Sequence, residues 1–176
     1  MTDFHRPERV DTIGEGDRRI AISANADERA ALATRFDLVS VAALDAALTV
    51  RRESGGIAVV GRVTASVVQA CAITDEPIDV AIDEPVALRF VEPQGAGPKT
   101  TADEIELGED AMDTVELEGS AIDLGEVAAE TMALALDPYP RGPNAAAALK
   151  AAGVLTEEEA RPAGPFADLK AKLDRG

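Results

Sequence analysis

Chemistry in this 176-residue chain would have to start from very few reactive side chains, since it holds one cysteine, Cys71, and one histidine, His5. A cysteine nucleophile needs a base to draw off its proton and leave the thiolate. The only imidazole sits in the polar N-terminal segment MTDFHRPERVDTIGEGDRR, a stretch poorly suited to holding a base rigidly. A tetrahedral zinc site takes four ligands, usually cysteine or histidine at short paired spacings, and one of each does not supply it. The run Glu157-Glu158-Glu159 lacks the glycine-punctuated loop of a calcium site and reads as solvated surface. GVLTEEEA and ESGGIAVVG lack the lysine and spacing of a phosphate-binding loop. No spacing singles out a pair of carboxylates for acid–base work. An enzyme of unknown type, with Glu126, Glu130 and Arg141 converging in a pocket, stays as an alternative. The reading therefore assigns no catalytic residue, no cofactor and no metal. Cys71 reads as a small buried hydrophobe near a strand end.

The charge says more about partners than these residues say about reactions. Thirty-three acidic residues against 17 basic ones leave a net charge of −16, which repels phosphate backbones and favours basic partners. Arginines fall in pairs, Arg18-Arg19 and Arg51-Arg52, with Arg62 and Arg89 in strand-like sequence. Arg62 shares a strand face with Thr64 and Ser66, so an arginine-bearing sheet face that contacts RNA is a second alternative. Charge balance among many acids is the plainer account of these residues. One cysteine forms no internal disulfide. The N-terminus has no apolar signal core, and no uncharged apolar run approaches the ~18 residues of a membrane span. The expectation is a cytoplasmic protein without membrane partners.

The elements that must position these residues are legible from periodicity. Apolar residues make up 46% of the chain, but there are four phenylalanines, one tyrosine and no tryptophan. The core must be aliphatic, and moderate stability follows. Residues 1–18 form a polar segment in which Val10 and Ile13 suit a peripheral strand. RRIAISA predicts a strand with Ile20 and Ile22 on one side. Asn25 and Glu28 have the spacing of a capping box before a helix carrying Leu32 and Phe36. Leu44, Ala46, Leu48 and Val50 alternate, ESGG turns, and Ile57, Val59, Val63 and Val67 continue the period of two, which predicts a hairpin. A third strand starts with Ile78, Val80 and Ile82, is interrupted by Glu84-Pro85 at an edge or bulge, and resumes with Val86, Leu88 and Phe90. Residues 92–113, rich in glycine, proline and acid, read as a mobile acidic loop. TVELEGSAI offers one more short strand. DLGEVAAETMALALD predicts the best helix, with Asp123 and Glu126 as a capping box, an apolar stripe of Leu124, Val127, Ala128, Thr131, Leu134 and Ala135, and Asp137-Pro138 as its stop. Residues 141–176 form an Ala/Pro-rich, weakly ordered tail ending in a short helix, PFADLKAKL. The fold class is α+β: an antiparallel sheet, barrel closure left open, with helices on one side, over residues 19–140.

Two segments also carry a likeness to a known family. They are QACAITDEP, a strand ending in Gln-x-Cys before a Thr-x-Glu-Pro turn, and IDLGEVAAETMALALDPYPR, an Asp-Leu-Gly-Glu helix running into Pro-Tyr-Pro-Arg. With DERAALATRF upstream and PFADLKAKL at the end, the chain resembles an alphaproteobacterial-type member of the YceD family, the large-ribosomal-subunit RNA accumulation proteins. The resemblance implies a bacterial cytoplasmic factor for large-subunit ribosomal RNA, not an enzyme, and it offers no catalytic residues to carry over. Many relatives carry a Cys-x-x-Cys pair at the strand end and more cysteines after the helix, a zinc-like pattern. Here Cys71 matches the first of the pair, Thr74 stands at the second, and DPYPRGPN has no cysteine, so that site does not transfer. Taken with the charge, the reading is an acidic escort for a basic ribosomal protein or a pre-large-subunit particle, reaching the RNA indirectly. Its expected contacts are Gln69, Cys71, Thr74, Glu76, Pro77, Asp123, Glu126, Tyr139, Pro140 and Arg141, with Tyr139 reading equally well as a cap on the helix end that packs on the sheet. The RNA alternative uses Arg18, Arg19, Arg51, Arg52, Arg62 and Arg89.

Overall fold

In a computed structural model, residues 4–92 and 113–154 are described. They form seven strands and three helices: β1 (Pro7–Arg9), β2 (Arg18–Ser23), α1 (Ala26–Arg35), β3 (Ser40–Glu53), β4 (Gly56–Ala70), β5 (Pro77–Val91), β6 (Asp113–Glu116), β7 (Ala121–Asp123), α2 (Leu124–Leu134) and α3 (Ala145–Ala151). Two compact units account for them. Of the described residues, 4–69 with 79–92 and 113–138 build one, and 70–78 with 139–154 the other.

The first unit holds the sheet. β2, β3, β4, β5 and β6 lie in that order and do not close, so among the described residues there is no barrel. The β3–β4 hairpin is as the alternation predicts: Ala46 faces Val63 and Val50 faces Val59. Its two-residue loop, Ser54-Gly55, places Gly55 at φ +94°, a conformation that favours glycine. A register shift between Val41 and Ala43 lets both Val41 and Leu44 be buried, although strict alternation would send them to opposite faces. β2 pairs antiparallel with β3 and sets Ile22 opposite Ala46.

The core is aliphatic, as the composition requires. Leu32 of α1, Leu44, Leu48 and Val50 of β3, Val59, Val63 and Val67 of β4, Ile82 and Val86 of β5, and Leu124 and Met132 of α2 belong to one buried cluster. Both α1 and α2 pack on β3. The capping box of α1 is present: Asn25 accepts from the amides of Asp27 and Glu28, and Glu28 accepts from the amide of Asn25. Such a cap contributes about 1 kcal/mol, less than the 1.5–3 kcal/mol expected, roughly, for burying Leu32. Packing rather than capping holds the helix.

Five expectations are corrected. Val10 lies in a single 3-10 turn, Val10–Thr12, and Ile13 is buried just after it; the peripheral strand is β1, antiparallel to β7. Glu84-Pro85 does not interrupt β5, which runs unbroken from Pro77 to Val91. β6 pairs with β5 only from Leu88 to Val91, so Pro85 falls where β6 demands no amide hydrogen of it. TVELEGSAI yields two strands, and β6 runs parallel to β5 in an otherwise antiparallel sheet. The α2 stripe holds in its first half, where Leu124, Val127 and Ala128 are buried, but not in its second: Ala129 and Met132 join the core, while Leu134 is 87% exposed. Finally, NAAAALKAA is helical as α3 rather than weakly ordered, as its alanine content favours. The acidic loop, apart from Glu92 and Asp113, and the helix expected at PFADLKAKL lie outside the described residues.

Candidate functional site

In the first unit the segment Asp-Leu-Gly-Glu joins an N-terminal strand to a helix, and each residue has a physical task. Asp123 is the N-cap of α2, its Oδ1 accepting from the amides of Gly125 and Glu126. The same oxygen accepts from the Arg6 amide at 2.7 Å, and Oδ2 pairs with Nδ1 of His5. The Leu124 amide donates to the Arg6 carbonyl at 3.0 Å. Gly125 lets the chain pass: a Cβ there would lie 1.8 Å from the carbonyl oxygen of Phe4. Glu126 does not complete a capping box. Its carboxylate takes both arms of Arg35 on α1, whose hydrogen bonds hold it below the usual carboxylate range.

Arg6, which periodicity gave no reason to single out, ties three segments of this unit. It forks onto Glu28 at 2.8 and 3.0 Å, donates to the carbonyl of Ser23, and lies 4.8 Å from the Phe4 ring centre. Those bonds hold Glu28 below its ordinary pKa. Gln69, at the end of β4, is buried and donates to the carbonyl of Asp137 at 3.0 Å.

The second unit is organised around Cys71. The Cys71 amide donates to the Glu76 carbonyl at 2.8 Å, and the Asp75 amide donates back to the Cys71 carbonyl at 2.9 Å. Thr74 Oγ1 donates to Glu76 at 3.0 Å, and Asn144 Nδ2 donates to both carboxylate oxygens of Glu76. The Ala72 amide donates to the Pro140 carbonyl at 2.8 Å, and the Gly142 amide to Cys71 Sγ at 3.3 Å. The Thr74 hydroxyl, when it turns its single hydrogen from Glu76 to the sulfur, and then the Gly142 amide pull the Cys71 thiol down from 9.0 to about 7, because each stabilises the thiolate. Pro77 starts β5 and is exposed, as are Arg141 and, at 73%, Tyr139.

This donor set does not fit zinc. Cys71 is its only thiol, and the sulfur is fully buried and already accepts from neighbouring groups. Among the described residues no cluster of three or more histidine, cysteine, aspartate or glutamate side chains is arranged to hold a metal ion.

The segments just described, the Cys71 turn and the Asp-Leu-Gly-Glu clasp, both fall inside a match to a family model. That model, described as large ribosomal RNA subunit accumulation protein YceD, matches residues 59–172. The chain belongs to the YceD family. No curated protein matches it, and no solved structure does. The match begins within β4, so the α1 segment used in the sequence comparison lies upstream of it. In this YceD-family chain, then, Gln69, Cys71, Thr74, Glu76, Asp123 and Glu126 all make internal hydrogen bonds. Sequence reading missed their partners Arg6, Arg35, Gly142 and Asn144; Arg35 lies within a recognised motif segment and Gly142 and Asn144 just beyond one, but nothing in the sequence pointed to Arg6.

The arginines that could face RNA are mostly engaged as well. Arg18 pairs with Glu8 at 2.9 Å, Arg51 with Glu53 and Asp17, Arg62 with Asp83 at 2.6 Å, and Arg89 with Glu53 at 3.4 Å. Arg52 donates to the carbonyls of Val10 and Ile13. Arg19 is exposed at the start of β2.

Proposed function

We propose that this chain supports the accumulation of large-subunit ribosomal RNA without catalysing a reaction, by holding a basic ribosomal protein in the cytoplasm until it is placed on the particle. The family description supplies the ribosomal setting. One observation carries the choice of partner: the sheet arginines Arg18, Arg51, Arg62 and Arg89 each meet a carboxylate of the same chain, while the net charge is −16. Acidic side chains are therefore in excess after internal pairing, and long-range attraction would speed encounter with a basic protein and weaken with salt. Pro77, Tyr139 and Arg141 of the expected contact set are exposed. Among the described residues no helix is long and apolar enough to cross a membrane.

The test is capture of the tagged protein from cells at low and moderate salt, with bound protein and RNA identified before and after nuclease. Basic large-subunit proteins that survive nuclease and leave with salt are the expected result. Ribosomal RNA that brings proteins along only while intact would replace this reading with direct RNA contact.

A further inference from the structure

A groove in the first unit, of about 420 Å³, runs between β5 and the C-terminal end of α2. Pro85, Val86 and Leu88 of β5 and Leu134 of α2 line it, with Glu84 and Asp113 as the only charged lining residues among those described. Leu134 is 87% exposed, an unusual place for a leucine on the helix that anchors the core. Glu84 and Asp113 are exposed, and neither forms a salt bridge among the described residues. Upstream of Leu88, β5 has no β6 residue paired to it, and Pro85 has no amide hydrogen to offer an added strand. An occupant would therefore be gripped by side chains rather than by sheet extension. Glu84, although close enough to Arg62 to feel its charge, and Asp113 are exposed carboxylates beside an exposed leucine; they repel a phosphate backbone and complement a cationic surface with an apolar ridge.

We infer that this groove binds an amphipathic segment of a basic protein, which seats an apolar side chain beside Leu134 and sets lysine or arginine against Glu84 and Asp113. The inference rests on the protein-partner reading above and names its docking surface.

Two probes test it on the full chain. One is a fluorescein-labelled helical peptide with leucine on one face and lysine on the other, followed by anisotropy, with a serine-for-leucine version as control. The other is the mixture of proteins stripped from purified large ribosomal subunits, followed by capture. The variants are Leu134→Glu and the double reversal Glu84→Lys with Asp113→Lys. Glu15→Lys with Asp27→Lys, at exposed sites outside the groove, changes net charge equally. The groove variants should each weaken binding by about tenfold or more, and the control reversal by less than about threefold, where tenfold corresponds to 1.4 kcal/mol. Equal loss in both reversals, or equal binding of the serine peptide, would mean diffuse attraction and overturn the groove. If wild type and groove variants capture large-subunit proteins equally, the groove falls while the escort reading stands. If wild type binds neither probe, both fall.

Discussion

At Cys71 two opposing effects meet in one atom. Burial disfavours a thiolate, but the Thr74 hydroxyl, shared between the sulfur and Glu76, and the Gly142 amide favour it, and the thiol comes down from 9.0 to about 7. The folded pKa lies below the unfolded one, so the thiol adds stability as pH rises from about 7, in full above 9.0, and that contribution is lost as pH falls back through about 7. The melting-temperature advantage of wild type over Cys71→Ala should therefore grow between pH 7 and pH 9. A difference that stays flat across that window would show that the sulfur does not ionise there. Sequence alone gave the burial of Cys71. It could not give the hydrogen bond from Gly142, because the two residues stand 71 positions apart.

At the scale of elements, the Asp-Leu-Gly-Glu segment is a clasp between β1, α1 and α2. Glycine at 125 is required by contact rather than by backbone angle: an alanine Cβ would sit 1.8 Å from the Phe4 carbonyl oxygen and 3.2 Å from the Arg6 amide. Gly125→Ala should lower stability by roughly 1–3 kcal/mol, the usual cost of forcing extra volume into a packed site. At Gly142 the added Cβ would meet Ile78 and Cys71 at 3.7–3.8 Å, ordinary contact, so Gly142→Ala should stay within about 0.5 kcal/mol of wild type. Denaturant midpoints compare the two, and equal losses would refute this account of the clasp. The existence of α2 was legible from its cap and apolar spacing. Its buried face was legible only at Leu124, Val127 and Ala128; towards the C-terminal end burial follows the surface the helix meets, so Met132 turns into the core while Leu134, two residues on, is left out.

Over the whole molecule, 33 acids repel one another and 17 bases only partly offset them. Several bases are committed to fixed pairs, including Arg6 with Glu28 and Arg35 with Glu126. These pairs join segments distant in sequence, yet exposed pairs contribute little individually. Net self-repulsion favours the expanded chain, and salt screens it over about 10 Å at 0.1 M. The melting temperature should accordingly rise as sodium chloride is raised from low to moderate concentration. A fall would mean that the ion pairs outweigh the repulsion. The same screening weakens attraction to a basic partner, so stability and partner binding should move in opposite directions with salt.

The sequence by itself determined the aliphatic core, the β3–β4 hairpin, the cap of α1, the presence of α2 and the excess of negative charge. Each is set by composition or by spacing within a few residues, where local geometry fixes which side chains share a face. Only the tertiary structure decided the parallel β6, the unbroken run of β5 past Pro85, the exposure of Leu134, and the partners of Asp123, Glu126, Cys71 and Glu76. Those depend on contacts between distant segments, such as Arg6 with Asp123 and Asn144 with Glu76. Period and spacing carry no information about which distant backbone arrives at a given side chain, and here that arrival separates residues held inside the fold from those left exposed.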